Sequence, residues 1–386
     1  MGKRIINPTI NLVEYMHLQP QLFLGRIGDG SSIHDGIYTL IRKIIESRLE
    51  EFRMKLLDTI EVFTYTYDEK RVTIRDNGKG INLERLIEYI HYSHNKDRNN
   101  HTTIEHDYWF VAVNGMSKYF EIQSFQNGNA RRVVTEFGKI VIDTVFPTQK
   151  ENGTYVSFEP DETIFGDFKY DTLLTYDVLD CYSYVSPGLT IKHNDAWIEA
   201  PDGLADLIRY TIYTSQALYP IIHLVGDNIE VAFTHVHDPW LVPEESSFLK
   251  RWRSLSPNEY SDTSSLFLSF VNGTITELGG VHQTSLRTSI VKTIRDFFGR
   301  NYYPSDILNG IVAAISIWVK EPLYEDAGRY KLGGTNFSTD GESIRQGVND
   351  FIKPALSEFL RDNKDVAESI KSVIKTNGLS QANKIK

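Results

Sequence analysis

Arg75-Asp76-Asn77-Gly78-Lys79-Gly80-Ile81 follows a short β-branched run, Arg71-Val72-Thr73-Ile74, and constrains this chain more than any other stretch. A strand that stops at an acid and turns through glycines leaves a carboxylate at its end. The backbone beside it can enter conformations closed to other residues. Such an acid can accept a hydrogen bond from the amino group of an adenine, while the glycines let the backbone approach the ring. Alone, D-x-G-x-G also describes an ordinary turn. Its neighbours decide.

Residues 31–57 predict one amphipathic helix. Ile37, Leu40, Ile41, Ile44, Ile45, Leu49 and Phe52 recur at helical spacing, with Ser31, Ser32 and Asp35 near its start. Strands are expected at 60–65 and 71–76, joined by the polar turn Tyr67-Asp68-Glu69-Lys70. A helix over 83–93 carries Leu86, Ile87, Tyr89 and Ile90, and further strands fall at 120–125, 132–137, 140–145 and 155–159. This order predicts an α+β sandwich with helices on one face of a mixed sheet. A second region begins near Tyr219-Pro220, where apolar runs 221–225 and 229–233 flank a Gly226-Asp227-Asn228 turn. A strand at 266–271, a helix at 283–298, a strand at 315–319 and helices at 341–362 and 364–376 follow. Domains are therefore expected at 1–218 and 219–386, with the Ser- and Pro-bearing stretch 238–264 as an insertion loop.

Composition narrows the partners. A net charge of −10 argues against broad nonspecific nucleic-acid binding, which needs cations to neutralise phosphates. The densest basic patch, Lys250-Arg251-Trp252-Arg253, reads as a solvated loop. No apolar run approaches the length of a membrane span, and no apolar stretch follows the basic N-terminus as in a signal peptide. A single cysteine, Cys181, fits a reducing compartment, so a cytoplasmic location without membrane contact is expected. His91, His94, His101 and His106 cluster with Asp97 and Asp107, but their spacing matches no zinc pattern; no metal site is expected.

Taken in order, these segments resemble the B subunit of bacterial type IIA topoisomerases, the ATPase subunit of gyrase and topoisomerase IV. Leu22-Phe23-Leu24-Gly25, Gly28-Asp29-Gly30-Ser31-Ser32, Asp76–Ile81, Asn152-Gly153-Thr154-Tyr155 and Pro187-Gly188-Leu189-Thr190-Ile191 carry the likeness in the first half. Leu218-Tyr219-Pro220-Ile221, Ser269-Phe270-Val271-Asn272-Gly273, Gly279-Gly280-Val281-His282-Gln283 and 311–317 carry it in the second. The resemblance implies a GHKL (Bergerat-type) α/β sandwich followed by a transducer domain with the α+β fold of ribosomal protein S5 domain 2. It assigns adenine recognition to Asp76, Gly78, Gly80, Ile81 and Thr154. The family's TOPRIM domain is not expected within these 386 residues.

The same resemblance exposes departures. The family's catalytic glutamate falls on Lys43 and its Mg²⁺-holding asparagine on Ser47. A protonated lysine cannot serve as a general base, and serine offers a weaker metal contact, so Mg²⁺ is doubtful. Glu46 reads as an ordinary helix-surface residue. The glycine-rich phosphate lid falls on Ile104-Glu105-His106-Asp107-Tyr108-Trp109, where glycine-free backbone wraps a triphosphate poorly and Glu105, His106, Asp107 and Trp109 add acid and bulk. The transducer's phosphate-reaching lysine falls on Arg329, after Ala327-Gly328.

The functional expectation is a catalytically disabled bacterial paralogue of the ATPase–transducer fragment. It would bind ATP, ADP or another small ligand, or a protein, and work as a homodimer or as a heterodimer with a topoisomerase subunit. It would not cleave DNA itself. Two alternatives stay open: a weak ATPase component of a split topoisomerase, and a recruited scaffold performing unrelated small-molecule chemistry with Lys43, Glu46, His106 or Asp107. Apolar residues Ile5, Ile6, Ile10, Leu12, Val13 and Tyr15 form the expected N-terminal dimer arm.

Overall fold

The computed structural model describes residues 12–64, 69–90, 104–212, 216–238, 265–320, 322–325, 329–334 and 341–384. It divides into two units, Met1–Glu199 and Ala200–Lys386. Each builds one sheet.

The first unit runs α1 (Leu12–Leu18), α2 (Gln21–Leu24), α3 (Gly36–Arg53), β1 (Thr59–Thr64), β2 (Val72–Asp76), α4 (Leu86–Ile90), α5 (Ile104–Gly115) and β3 (Ser117–Gln126). It continues through β4 (Asn129–Glu136), β5 (Lys139–Pro147), β6 (Gly153–Pro160), α6 (Glu162–Phe165), α7 (Thr172–Val185), β7 (Thr190–His193) and β8 (Ala196–Ile198). The sheet order is β5-β4-β3-β6-β2-β1-β7-β8, and β1 with β7 is its parallel pair. Period-two burial in β1 puts Ile60, Val62 and Thr64 inward, and the register pairs Val62 with Ile74 and Ile74 with Val156. Phe120, Ile122 and Phe158 are fully buried in the same sheet. α3 lies against α5, α7 and β2, so its inner face reaches the end of β2.

The long helix is shorter than the expected 31–57, although every apolar position from Ile37 to Phe52 lies within it. Asp35 is extended (φ −70°, ψ 143°), and its carboxylate accepts the backbone N–H groups of Gly30 (3.0 Å) and Ser32 (3.1 Å). Ser31, Ser32 and Asp35 therefore build a turn, and the helix starts at Gly36. The arm residues Ile5, Ile6 and Ile10, the basic patch 250–253 and residues 239–264 of the expected insertion lie outside the described residues. So do His91, His94, Asp97 and His101.

The second unit comprises α8 (Leu204–Thr211), β9 (Ile222–Val225), β10 (Ile229–His235), β11 (Leu266–Val271), β12 (Thr274–Ile275), α9 (Val281–Phe298), α10 (Pro304–Leu308), β13 (Ile311–Ile317), α11 (Ile344–Asp362) and α12 (Lys364–Lys384). Its sheet order is β12-β11-β13-β10-β9, with β11 and β13 parallel. Every residue of β13 is buried, as a central strand covered on both faces requires. Phe233, Ile315, Leu286, Ile290, Ile352 and Leu356 belong to one core. The expected boundary at 218/219 falls inside this unit. α8 packs on β10 and β13, and the Leu204 N–H donates to Glu230 Oε1 at 2.7 Å.

Candidate functional site

Asp76 ends β2 with its side chain buried, 6% exposed. Its Oδ1 accepts the N–H groups of Gly78 (2.9 Å) and Thr154 (3.2 Å), which fastens the glycine turn and the start of β6 to one carboxylate. Burial raises its pKa above the ordinary carboxylate value, against the opposing pull of Arg48 and those two N–H groups. The turn is tied down on its far side as well. Ser124 donates to the Ile81 carbonyl at 2.6 Å, and Gln126 Nε2 to the Gly80 carbonyl at 3.2 Å. Gly80 has φ +76°, and a Cβ there would meet the Phe125 carbonyl at 2.6 Å, so both conformation and close approach require glycine. At Gly78 the neighbour is not open space: a Cβ would stand 2.6 Å from Glu51 Oε2.

The structure thus brings Asp76, Gly78, Gly80, Ile81 and Thr154 together, but it adds a residue that the sequence reading missed. Arg48, 6% exposed, extends from α3 to the end of β2 and the start of β6. Its Nη1 donates to Thr154 Oγ1 at 3.1 Å and lies 3.8 Å from Asp76 Oδ2. Its Nη2 donates to Glu51 Oε1 at 3.0 Å, and Glu51 Oε2 in turn accepts the Lys79 N–H at 3.3 Å. Arg48 Nε is buried with no hydrogen-bond partner. The groups expected to read adenine are present, and each is already engaged by the protein.

A signal for this was available. Ile37, Ile41, Ile44, Arg48 and Glu51 follow the i, i+4, i+7 rhythm of the buried helix face, so an Arg–Glu pair continues an apolar stripe. Charged residues at such positions are buried only when paired.

On the phosphate side, Lys43 Nζ stands 4.4 Å from the centroid of the Trp109 ring, a cation–π geometry. Trp109 is buried. The segment expected to replace the lid is helical and belongs to α5, which packs on α3; the side chains of Glu105, His106 and Asp107 lie outside the described residues. Ser47 is buried and donates to the Ile44 carbonyl at 2.6 Å, which turns its proton back into the helix. Glu46 accepts from the Tyr182 hydroxyl at 3.0 Å. Tyr182 is itself buried, and that desolvation holds its pKa well above the usual phenol value. Lys43 and Ser47 bring no carboxylate or amide oxygen to the positions that the resemblance assigns to base and Mg²⁺. Among the described residues no group of three or more His, Cys, Asp or Glu could hold a metal ion.

Arg329 lies in the second unit with φ +62°, its guanidinium 5.4 Å from the Tyr324 ring centroid. The preceding Ala327-Gly328 lies outside the described residues. A cavity of about 620 Å³ also belongs to the second unit, lined by Asp202, Arg209, Tyr219, Pro220 and His223 among others. Arg209 is ion-paired there with Asp202, and His223 Nε2 lies 2.8 Å from Glu230 Oε1. None of the sequence-derived site residues lines it. No described helix is long and apolar enough to cross a membrane.

With this geometry in hand, similarity to known proteins is informative. Residues 224–386 match the DNA gyrase B family. Over 374 residues the chain is 30% identical to the B subunit of DNA topoisomerase 4 from Borreliella burgdorferi, covering 96% of this chain and 57% of that protein. It is 23% identical to the B subunit of DNA gyrase from Thermotoga maritima, covering 94% and 57% respectively. The chain thus spans little more than half the length of these relatives. In three dimensions it matches the 43K ATPase domain of Thermus thermophilus gyrase B with a TM-score of 0.71 at 18% identity, covering 97% of each chain. The ATPase region of Saccharomyces cerevisiae topoisomerase II matches with a TM-score of 0.62, also at 18% identity, covering 93% of this chain and 98% of that one. These matches show the GHKL ATPase–transducer fold.

Proposed function

From the premise that this chain is a relative of the B subunits of gyrase and topoisomerase IV, we propose that it keeps their ATPase–transducer fold as a binding scaffold and has lost ATP hydrolysis. One observation carries this reading. Lys43, which the resemblance puts at the position of the catalytic base, has its ammonium over the Trp109 ring. A cation there cannot take a proton from an attacking water, and its stacking is favoured by the charge that disqualifies it. The inward-turned Ser47 and the helical α5 support the same reading. The protein acts by binding a partner, a second copy of itself or a topoisomerase subunit, and does not cleave DNA on its own.

Loss of a general base costs about 10²–10⁴-fold in rate, and loss of preorganised phosphate contacts adds to this. Gel-filtered protein is therefore expected to release phosphate from ATP at no more than background, with or without Mg²⁺. A Mg²⁺-dependent rate that vanishes in Asp76→Ala would sink the proposal in favour of a weak ATPase working in a split topoisomerase.

Assembly gives a second test. A ligand that distinguishes neither of two states shifts no equilibrium between them. Light scattering should report one mass with no nucleotide, with ADP and with a non-hydrolysable ATP analogue. Dimerisation only with the analogue would reveal a working nucleotide switch.

A further inference from the structure

We infer that Arg48 is an internal occupant of the base-recognition subsite, and that its guanidinium, held by Thr154, Glu51 and Asp76, keeps adenine nucleotides out. Three observations converge on this. The guanidinium sits on the groups that would read a purine: Nη1 is 3.1 Å from Thr154 Oγ1 and 3.8 Å from Asp76 Oδ2. Its Nη1 brings to the strand-end acid and the threonine hydroxyl an N–H donor of the kind that adenine's exocyclic amino group would bring. The side chain is 8% exposed and its Nε has no acceptor, so the terminal nitrogens alone hold it. A surface ion pair would face water. This arginine instead is buried against the end of β2 and the start of β6 and is neutralised by Glu51 on its own helix, three residues on.

The consequence is specific. A purine cannot reach Asp76 and Thr154 until the guanidinium leaves. Leaving means breaking the Glu51 pair and stranding a buried carboxylate. Exclusion therefore comes from one side chain rather than from loss of the subsite. This inference rests on the reading of the chain as a non-hydrolysing scaffold, yet it can fail separately from it. Phosphate release by the natural protein would overturn that reading, whereas the binding experiment below bears on Arg48 alone.

The experiment is calorimetric titration of adenosine and ADP into the full chain. The natural protein is compared with Arg48→Ala and with the double variant Arg48→Ala/Glu51→Gln, which removes the partner charge and so guards against simple unfolding. Cooperative thermal melts establish that the variants are folded. The expected result is at least tenfold tighter adenosine binding in a folded variant than in the natural protein, abolished when Asp76→Asn is added. Because Lys43 is unchanged, the variants should gain binding without hydrolysis. The inference is overturned if the natural protein binds adenosine as tightly as the variants, or if both variants fold and bind no tighter. It is also overturned if the gained binding survives Asp76→Asn, because the ligand then sits elsewhere.

Discussion

Glu51→Ala is expected to destabilise the first unit by about 3–5 kcal/mol, the range for removing one partner of a buried ion pair. Glu51 is 9% exposed and supplies the carboxylate that pairs with Arg48 at 3.0 Å. Without it the guanidinium stays buried against Asp76 Oδ2 at 3.8 Å, a carboxyl whose proton burial already favours. The Lys79 N–H loses its acceptor at the same time. Replacing both charges tests the cause. Arg48→Met with Glu51→Leu removes the pair without orphaning a charge, and buried pairs replaced in this way are often neutral or stabilising. The double variant should recover most of the loss in urea unfolding. A loss under about 1 kcal/mol in Glu51→Ala, the range of exposed pairs, would mean that the pair is solvated.

The second unit should be acid-labile well above the range where carboxylates titrate. His235 and His282 are both fully buried, and desolvation lowers their pKa values from 6.5 to about 4 and about 3. His235 is satisfied as the neutral ring. Nε2–H donates to the Ile307 carbonyl at 2.7 Å, and Nδ1 accepts from the Tyr219 hydroxyl. His282 Nε2 pairs with Thr276 Oγ1 at 3.0 Å, and its Nδ1 is buried without a partner. Between the folded and unfolded pKa values the unfolded chain holds more protons, so stability rises with pH in that window. The contribution is complete above about pH 6.5 and falls as pH drops toward 4 and 3. Each histidine accounts for about 3–5 kcal/mol over its full window. Denaturation of the natural protein at pH 7.5, 5.5 and 4.5 should show a steep loss below 6.5. His235→Gln and His282→Gln should be less stable at pH 7.5 but show a shallower slope. A natural protein whose stability stays flat from pH 7.5 to 4.5 would show that these rings are hydrated or already charged.

Where one periodicity acts alone, the sequence was readable. The strand 266–271 appears as Leu266–Val271, and the runs flanking Gly226-Asp227-Asn228 form the antiparallel pair β9–β10. The 71–76 strand and its glycine turn lie where the D-N-G-K-G-I pattern puts them. The start of α3 was misplaced because Ser31, Ser32 and Asp35 look like caps, while Asp35 spends its carboxylate on Gly30 and Ser32. α5 was read only as a substituted lid, since alignment to a glycine-rich segment hides the helical preference of what replaced it. β7 alternates in burial but over four residues only, β8 has three residues, and α7 is buried nearly throughout, so periodicity does not reveal them. Arg48 was missed for a different reason. It adjoins the expected catalytic positions Lys43 and Ser47, and its place on the apolar stripe is visible in the bare sequence.

A side chain that occupies a ligand's place also changes what the protein can sense. A nucleotide present at about 100 times its dissociation constant would add roughly 2.7 kcal/mol to the fold of a site that accepts it. Such a protein becomes sturdier or frailer as the nucleotide pool rises and falls. Arg48 is tethered to α3, so its effective concentration at Asp76 and Thr154 is set by the helix and never diluted. On the inference that Arg48 keeps nucleotides out, the folded population of the first unit is expected not to change with nucleotide concentration. Under the proposed scaffold reading, what it would offer a partner is a surface whose shape does not report on energy supply.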